Sequence, residues 1–316
     1  MVNAIAEAFA PATAANLGVG FDIIGLALRE PGDHVRVERQ QAPGVHIAEI
    51  EGDGGVLTRD AARNCASVAA QSVLNLIGAD NGVKMTIRKG LPLGSGLGSS
   101  AASAVAGAFA VNALFGQPLT REQLLAPALD GEAIASGYHP DNVGPALFGG
   151  ITLFTGPSAD AMVRLPVPAN LHLALITPDV SVKTADARAV LPLEVPLATM
   201  INQTGGVAML IDALYRGDIR QLGRAMESDA VIEPARRYLM PFFRTIREAA
   251  RDNGAFGLVI SGAGPTLLAV CDSSEAAARV ASAMEGVYSE KGIRSDARYG
   301  QVCPDGARVV QVTPRL

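Results

Sequence analysis

The stretch that decides the fold is "LPLGSGLGSSAASAVAGAF", residues 91–109, which holds four glycines and four serines. A strand is predicted over Val83–Pro92, ending at this stretch, and a helix over Ser99–Leu114. Glycines let a backbone curl into a nest of N–H groups, and a helix N-terminus adds the positive end of its dipole. The stretch therefore predicts a site for phosphate or another anion, formed around Gly94, Gly96 and Gly98.

Two better-known phosphate loops do not fit this stretch. The Walker A loop ends in Gly-Lys-Ser/Thr, and no lysine follows Gly98. The dinucleotide-binding fingerprint spaces its glycines as G-x-G-x-x-G, whereas this chain places them at every second position. Ser99 and Ser100 supply hydroxyls that can cap the helix, bind phosphate oxygens or ligate Mg²⁺. From these residues alone, a flexible loop with a good helix cap remains the alternative.

Strand-like and helix-like segments alternate on both sides of the stretch. Strands are predicted over residues 34–40, 44–52, 148–157, 171–179, 256–272 (two strands), 293–300 and 307–314, and helices over 64–78, 121–135, 199–253 and 274–291. This order predicts an α+β protein with two layers in each domain. Glycine and proline cluster in residues 155–168, which predicts a boundary between a domain of residues 1–160 and one of residues 161–316.

Composition excludes several classes of function. The 316 residues are 49% hydrophobic and 4% aromatic, so each globular core must consist of Ala, Val, Leu and Ile. The net charge of −5 argues against nucleic acid and anionic membranes as partners. We expect neither a signal peptide nor a membrane span. Cys65, Cys271 and Cys303 are too scattered for a disulfide framework or a metal site, so a cytoplasmic location is expected.

The glycine-serine stretch resembles the P-x-x-x-G-L-G-S-S-A phosphate loop of the GHMP kinases, a superfamily of small-molecule kinases. Two further segments resemble that superfamily: "APATAANLGVGFDIIGLAL", residues 10–28, and "LVISGAGPTLLAV", residues 258–270. The resemblance implies a two-domain α+β GHMP kinase fold. Its N-terminal half would be ribosomal-protein-S5-domain-2-like and bind ATP, and its C-terminal half would be a ferredoxin-like α/β sandwich. ATP and Mg²⁺ are the implied cofactors.

Within the superfamily the chain is most similar to the homoserine kinases. Residues 138–151, "YHPDNVGPALFGGI", resemble their H-x-D-N-x-x-P segment, and residues 181–192 and 228–241 resemble the stretches that bring arginines to the substrate. The resemblance implies ATP-dependent phosphorylation of the side-chain hydroxyl of L-homoserine, in threonine biosynthesis. Two rivals remain: another small-alcohol kinase of the superfamily, and a ligand sensor of the same fold without catalysis. The sensor should have lost the metal-binding carboxylate or the loop serines, and this chain keeps both.

The resemblance implies groups for each end of a homoserine zwitterion. Its carboxylate requires planar, bidentate donors, which Arg188 and Arg236 supply. Its ammonium and hydroxyl require acceptors, for which Asn16, Asp22 and His139 are suitable. Taken as isolated residues, Asn16 would instead be a turn residue and Arg188 a surface residue of a helix.

Two positions in these segments are open. Arg237 lies next to Arg236 and competes for its role, although the E-P-x-R spacing favours Arg236. Between Ser136-Gly137 and His139 there is one residue, Tyr138, where the family usually has two. That shortening leaves the position of His139 relative to the substrate undetermined.

For the nucleotide, the resemblance implies a larger set of residues. Glu132 and Ser100 match the pair that holds Mg²⁺, and Asn64 matches a contact to the base, although it also suits a helix N-cap. Lys89 either reaches the phosphates from the strand end or is solvated. The nucleotide-binding residues are expected to be Asn64, Pro92, Leu93, Gly94, Ser95, Gly96, Leu97, Gly98, Ser99, Ser100, Ala101, Gly262 and Gly264.

The general base is the open part of the mechanism. Other GHMP kinases place an aspartate where this chain has Asn142, and the homoserine kinases are commonly read as lacking a dedicated base. A loose, metaphosphate-like transition state requires the hydroxyl proton to leave late. Asp141 is therefore expected to orient the substrate, and Asp141, Asn142, Glu132 and Lys89 form the expected catalytic set. A homodimer is compatible with the sequence.

Overall fold

The computed structural model describes residues 3–314, which form two β-sheets with helices packed against them. The first half contains β1 (Asn3–Ala15), β2 (Ile24–Gln40), β3 (Val45–Glu51), α1 (Cys65–Leu76), β4 (Gly82–Arg88), α2 (Ser99–Leu114), α3 (Arg121–Glu132), α4 (Pro140–Phe148), β5 (Ile151–Phe154) and β6 (Met162–Leu165). The second half contains β7 (His172–Pro178), α5 (Thr184–Ala189), α6 (Leu197–Arg216), α7 (Ile219–Met226), α8 (Ile232–Arg236), α9 (Phe243–Asp252), β8 (Gly257–Ile260), β9 (Leu267–Cys271), α10 (Ser274–Glu290), β10 (Ser295–Gly300) and β11 (Arg308–Pro314). The expected α+β class is confirmed.

Seven strands form the first sheet, in the order β11-β1-β2-β4-β3, with β5 paired to β2 and β6 paired to β5. All neighbours are antiparallel except β3 and β4, which run parallel. The last strand, β11, pairs with the first, with Asn3 opposite Pro314. The division into two domains after residue 160 stays a prediction. In the structure, β6 and β11 follow residue 160 in sequence and still belong to the first sheet.

α2 is the central helix of the first core. Thirteen of its 16 residues are buried, because it packs against β1, β2, α1, α3 and α4. A helix that is apolar on every side must be covered on every side. Its small side chains, and the alanines of β1, allow these elements to approach closely, as the aliphatic composition predicts. The burial fixes the direction of α2, and with it the position of its N-terminus at the glycine-serine loop.

The second sheet has four antiparallel strands in the order β10-β7-β9-β8. Its core includes residues of α9 and α10. The helical region expected over residues 199–253 is divided into four helices, and the first break lies at Gly217, which has φ +67°. In the part of the chain that the structure describes, no helix is long and apolar enough to cross a lipid bilayer.

Candidate active site

A cavity of about 360 Å³ lies where the glycine-serine loop, the N-termini of α1 and α2, α4, α5, α8 and the β8–β9 turn meet. This volume lies in the range of small-molecule sites. The expected site residues that line it are Asn16, Asp22, Asn64, Lys89, Leu93, Gly94, Ser95, Gly96, Gly98, Ser99, Ser100, Glu132, His139, Asp141, Asn142, Arg188, Arg236, Gly262 and Gly264. Pro92, Leu97 and Ala101 belong to the expected set but are not part of the lining.

The loop requires glycine both in backbone angle and in space. Gly94, Gly96 and Gly98 have φ values of +64°, +78° and +65°, a region that side chains other than glycine rarely adopt. A Cβ on Gly98 would lie 2.0 Å from Thr13 Oγ1, and one on Gly96 would lie 2.5 Å from the carbonyl oxygen of Ser261. The expectation that these positions need glycine is confirmed.

The N-terminus of α2 opens on this loop without a side-chain cap. Gly98 is the N-cap residue, and in the structure of residues 3–314 no side chain accepts a hydrogen bond at this end. The first internal bond runs from the Ala102 amide to the Gly98 carbonyl, at 2.9 Å. The preceding amide groups of the first turn therefore remain for a ligand. In this structure neither Ser99 nor Ser100 provides the side-chain cap that the sequence allows.

The segment of residues 258–270 donates hydrogen bonds to backbone carbonyl groups of the glycine-serine loop. Ser261 Oγ donates to the Gly96 carbonyl at 2.7 Å. The Thr266 amide and hydroxyl donate to the Ser95 carbonyl at 3.1 and 2.7 Å. Ser95 Oγ donates to the Pro92 carbonyl, which closes the loop on itself. This segment therefore holds the loop in shape, while its Gly262 and Gly264 line the cavity.

Glu132 fits a hard cation. Its Oε1 accepts hydrogen bonds from Ser100 Oγ at 3.0 Å and from Ser136 Oγ, whereas its Oε2 is buried without a hydrogen-bond partner. Burial raises the pKa of this carboxyl to about 7. Residues 3–314 contain no group of three or more His, Cys, Asp or Glu placed to hold a metal. One carboxylate with a hydroxyl suits Mg²⁺, which takes its remaining ligands from phosphates and water.

Lys89 is buried, with 1% of its side chain exposed, so the solvated alternative is wrong. Its ammonium donates to the Asp33 carboxylate, to the Ser99 carbonyl at 2.9 Å and to Ser103 Oγ at 2.8 Å. Asp33, which is fully buried, was not among the expected site residues. The strand pattern began one residue later, at His34, and a lone aspartate after Pro-Gly gives no signal of its partners.

Asn64 is the N-cap residue of α1, as the helix-cap interpretation predicts. Its Oδ1 accepts from the Ala66 amide at 3.1 Å, and its Nδ2 donates to the Thr58 carbonyl at 3.2 Å. Asn64 and Thr58 both line the cavity. A contact to the nucleotide base stays a prediction.

Asn16 fixes the turn between β1 and β2. Both Asn16 and Asp22 have left-handed backbones, with φ values of +79° and +60°. Asn16 Oδ1 accepts from the Asp22 amide at 3.0 Å, and its Nδ2 donates to the Gly262 carbonyl at 2.9 Å. The turn interpretation of Asn16 is confirmed, and a contact to substrate stays a prediction.

Asp22 lies between a guanidinium and an imidazole. Arg188, carried by α5, donates two hydrogen bonds of 2.9 Å to its carboxylate, and His139 Nδ1 lies 3.7 Å from Asp22 Oδ2. Burial, and then the Arg188 charge, lower the pKa of His139, so this ring is neutral at pH 7. The Tyr138 hydroxyl donates to Asp130 Oδ1 at 3.0 Å. That bond anchors the shortened segment to α3 with His139 in the cavity lining.

Arg236 is 3% exposed. Its Nε donates to the Ala187 carbonyl at 2.9 Å and its Nη1 to the Gly262 carbonyl at 3.1 Å, while Phe21 lies 4.9 Å from the guanidinium carbon. No carboxylate in residues 3–314 lies within 4.0 Å of its nitrogens. Burial, and then Arg188, lower its pKa to about 10, so it is charged at pH 7. A buried cation without an ion-pair partner is costly, which points to an anionic ligand; Arg237 does not line the cavity.

Asp141 and Asn142 lie in the first turn of α4 and line the cavity. Thr13 Oγ1 donates to Asn142 Oδ1 at 2.7 Å, which orients the amide. Asp141 is 4% exposed, and burial, followed by the Asp22 charge, raises its pKa to about 7. Asp141 and Glu132, which both line the cavity, therefore titrate near neutrality.

Comparison with known proteins adds to this geometry. Two family descriptions match the chain: "GHMP kinases N terminal domain" over residues 63–150 and "GHMP kinases C terminal" over residues 210–290. A homoserine kinase of Arabidopsis thaliana is 42% identical, with 98% of this chain and 85% of that protein covered. One of Chlorobium phaeobacteroides is 38% identical, with 96% and 98% covered. The crystal structure of a homoserine kinase from Cytophaga hutchinsonii matches with a TM-score of 0.93, 42% identity and 97% of each chain covered.

Proposed function

We infer that this chain, which belongs to the homoserine kinase family of the GHMP kinases, transfers the γ-phosphoryl group of ATP to the side-chain hydroxyl of L-homoserine. The product is O-phospho-L-homoserine, an intermediate of threonine biosynthesis. The single observation that carries the substrate assignment is Arg236, a buried guanidinium without a carboxylate partner among residues 3–314. The carboxylate of an amino acid would supply that partner.

At the substrate end, we propose that Arg236 and Arg188 bind the carboxylate of homoserine. Both guanidinium groups lie over the Phe21 ring, at 4.9 and 5.7 Å, which restricts their orientation. Asp22 then faces the ammonium, and neutral His139 accepts a hydrogen bond from the polar end of the substrate. Asn16 would provide a further polar contact to the ammonium or hydroxyl of the substrate, from the turn between β1 and β2.

At the nucleotide end, we propose that the phosphates of ATP lie on the amide groups of the glycine-serine loop and the first turn of α2. The base would lie beside Asn64 and Thr58, which line the cavity at the N-terminus of α1. Ser100 and Glu132 would hold Mg²⁺, whose charge offsets that of the phosphate oxygens when it is bound. The unpartnered Oε2 of Glu132 supports this placement.

The chemistry we propose is positioning and charge neutralisation. In a loose phosphoryl transfer the protein forms no covalent bond, and its main task is to align the hydroxyl with the γ-phosphorus. Thr13 Oγ1 donates to the side-chain oxygen of Asn142, which lines the cavity, and Asp141 would orient the substrate from the first turn of α4. No dedicated base is required for a proton that leaves late.

Coupled release of ADP with a panel of acceptors tests the proposal. We expect turnover with L-homoserine and much weaker turnover with γ-hydroxybutyrate, mevalonate, pantoate and butane-1,4-diol. Efficient phosphorylation of mevalonate or pantoate, with none of homoserine, would leave only the superfamily assignment. The sensor alternative instead predicts ATP binding with no ADP release from any acceptor.

We also propose that the enzyme is cytoplasmic and homodimeric. The three cysteines are free thiols in the structure, which suits a reducing compartment. Leu193, Leu197 and Ile201, next to and within α6, expose 102%, 69% and 59% of their surface, which supports a contact with a second copy. Sedimentation of the purified chain, with and without Ile201→Glu, tests the assembly.

A further inference from the structure

We propose that Asp33 is a positioning residue for ATP, acting through Lys89 on the first turn of α2. This inference rests on the proposed function only in taking that first turn as the site of the phosphates. Asp33 itself does not line the cavity, whereas Lys89 does.

One buried carboxylate accepts hydrogen bonds from two parts of the chain, the segment of residues 89–91 and helix α2. Asp33, on β2, is fully buried; its Oδ1 accepts from the amides of Gly90 and Leu91 at 3.0 and 3.3 Å. Its Oδ2 accepts from Ser103 Oγ at 2.7 Å and from the Lys89 ammonium. The carboxylate therefore ties the start of the glycine-serine loop to the body of α2.

The Lys89 ammonium completes the other half of the link. An ammonium has three N–H donors, and the structure gives this one three acceptors: the Asp33 carboxylate, the Ser99 carbonyl at 2.9 Å and Ser103 Oγ at 2.8 Å. A direct bond to phosphate would require one of these to break. The geometry therefore assigns Lys89 to holding Ser99, the first residue of α2, in place.

Both ends of the loop depend on the same ion pair. Gly90 and Leu91 lie at the start of the loop and Ser99 lies at its end. Because the Asp33–Lys89 ion pair binds both ends, it sets the distance that the loop spans. It thereby sets where the first-turn amides point. A change at Asp33 should then weaken the binding of a phosphate chain that it does not touch, because those amides bind well only in one arrangement.

The test is the dissociation constant of ATP·Mg²⁺, measured calorimetrically without homoserine, for Asp33→Asn. We expect it to rise at least tenfold, while the KM for L-homoserine at saturating ATP stays within about twofold of the wild-type value. If Lys89 instead binds phosphate directly, the substitution frees its ammonium, and ATP binds equally well or more tightly. That result overturns the proposal. Because homoserine is absent from the binding measurement, a wrong substrate assignment cannot change the dissociation constant of ATP·Mg²⁺.

Two further variants protect the test against a folding defect. Ser103→Ala removes the hydroxyl shared by both partners and should weaken ATP binding in the same direction, by about twofold to fivefold; unchanged or tighter binding overturns the proposal. Ile246→Ala, a fully buried site in the core of the second sheet, should lower the Tm without changing the dissociation constant. If it weakens ATP binding as much as Asp33→Asn, the effect is general destabilisation and the proposal fails.

Discussion

Arg188 and Asp22 form a bidentate ion pair, with Nη1 donating to Oδ2 and Nη2 to Oδ1, both at 2.9 Å. The pair joins α5 to the turn between β1 and β2, and both residues line the cavity. Both residues are assigned to opposite charges of one substrate. The homoserine zwitterion would therefore bind to an ion pair that is already formed, with its carboxylate at Arg188 and its ammonium at Asp22. Positive and negative groups would then alternate.

The first prediction concerns the two roles of Asp22, binding the substrate ammonium and holding Arg188. Asp22→Asn should raise the KM for L-homoserine about tenfold to a hundredfold, the range for loss of a charge-assisted hydrogen bond. With γ-hydroxybutyrate, which lacks the ammonium, the same substitution should have a much smaller effect. Steady-state kinetics on both acceptors measure the difference. Equal losses would mean that Asp22 acts only by holding Arg188.

The second prediction concerns the buried arginine. Arg236→Ala removes the guanidinium that would pair with the substrate carboxylate, at a cost of roughly 2–5 kcal/mol. The KM for L-homoserine should rise by about thirtyfold or more, with the KM for ATP nearly unchanged. Arg237→Ala, one residue further and outside the cavity lining, is the matched control and should change neither constant. Parallel changes in both variants would contradict the assignment.

The third prediction concerns the carboxylate beside Ser100. Glu132→Gln keeps the shape and loses the charge, so kcat should fall by orders of magnitude at saturating Mg²⁺ while the protein still folds. Stopped assays of ADP and circular dichroism measure the two quantities. A kcat equal to that of the wild type would remove Glu132 from the metal site.

The fourth prediction is a pH dependence of stability. Burial raises the folded-state pKa of Glu132 from its ordinary 4.5 to about 7. Between these two values the folded state binds more protons than the unfolded chain, so its free energy of unfolding falls as pH rises, by on the order of 3 kcal/mol for this group. Without ATP and Mg²⁺, the Tm of Glu132→Gln should fall less from pH 5 to pH 8 than that of the wild type. Parallel Tm curves would refute the burial argument.

The fifth prediction uses two glycines at opposite ends of α2. Gly98→Val should abolish ATP binding, because its Cβ would lie 2.0 Å from Thr13 Oγ1. Gly116, just beyond α2, also has a positive φ, +85°, but a Cβ there meets nothing within 4 Å. Gly116→Val therefore carries the backbone strain without the clash, and should bind ATP normally in the same titration. Normal binding by both variants would show that the loop is not the phosphate site.

The regular elements were predictable where local signals are strong. The helix expected over Ser99–Leu114 has those bounds in the structure, because glycine-rich sequence precedes it. β1 was not predicted: all 13 of its residues are at least partly buried, so apolar and polar residues do not alternate along it. The breaks between α6 and α9 depend on local caps such as Asp218, which accepts from the Gln221 amide, and patterns of hydrophobicity do not show them.

The site divides in the same way. The loop glycines carry a motif, and their positive φ values follow from it. Asp33 carries none, because its partners come from residues 89–91, just after β4, and from α2, and are distant in sequence. The bond from Tyr138 to Asp130 is also tertiary, and it places His139 in the cavity despite the shortened segment. A single sequence states which side chains are present but not which distant ones pair.

The pairing of β11 with β1 has a consequence for the order of folding. During synthesis β1 emerges some 300 residues before its outer neighbour, β11, which consists of residues 308–314. The nascent chain therefore carries an open strand edge until nearly all other elements have been made, and such edges recruit foreign strands. Contacts of such large sequence separation also form slowly. The half of the molecule that contains the glycine-serine loop should thus reach its final sheet late, and a chaperone that shields β1 in the interval would raise the yield of folded enzyme.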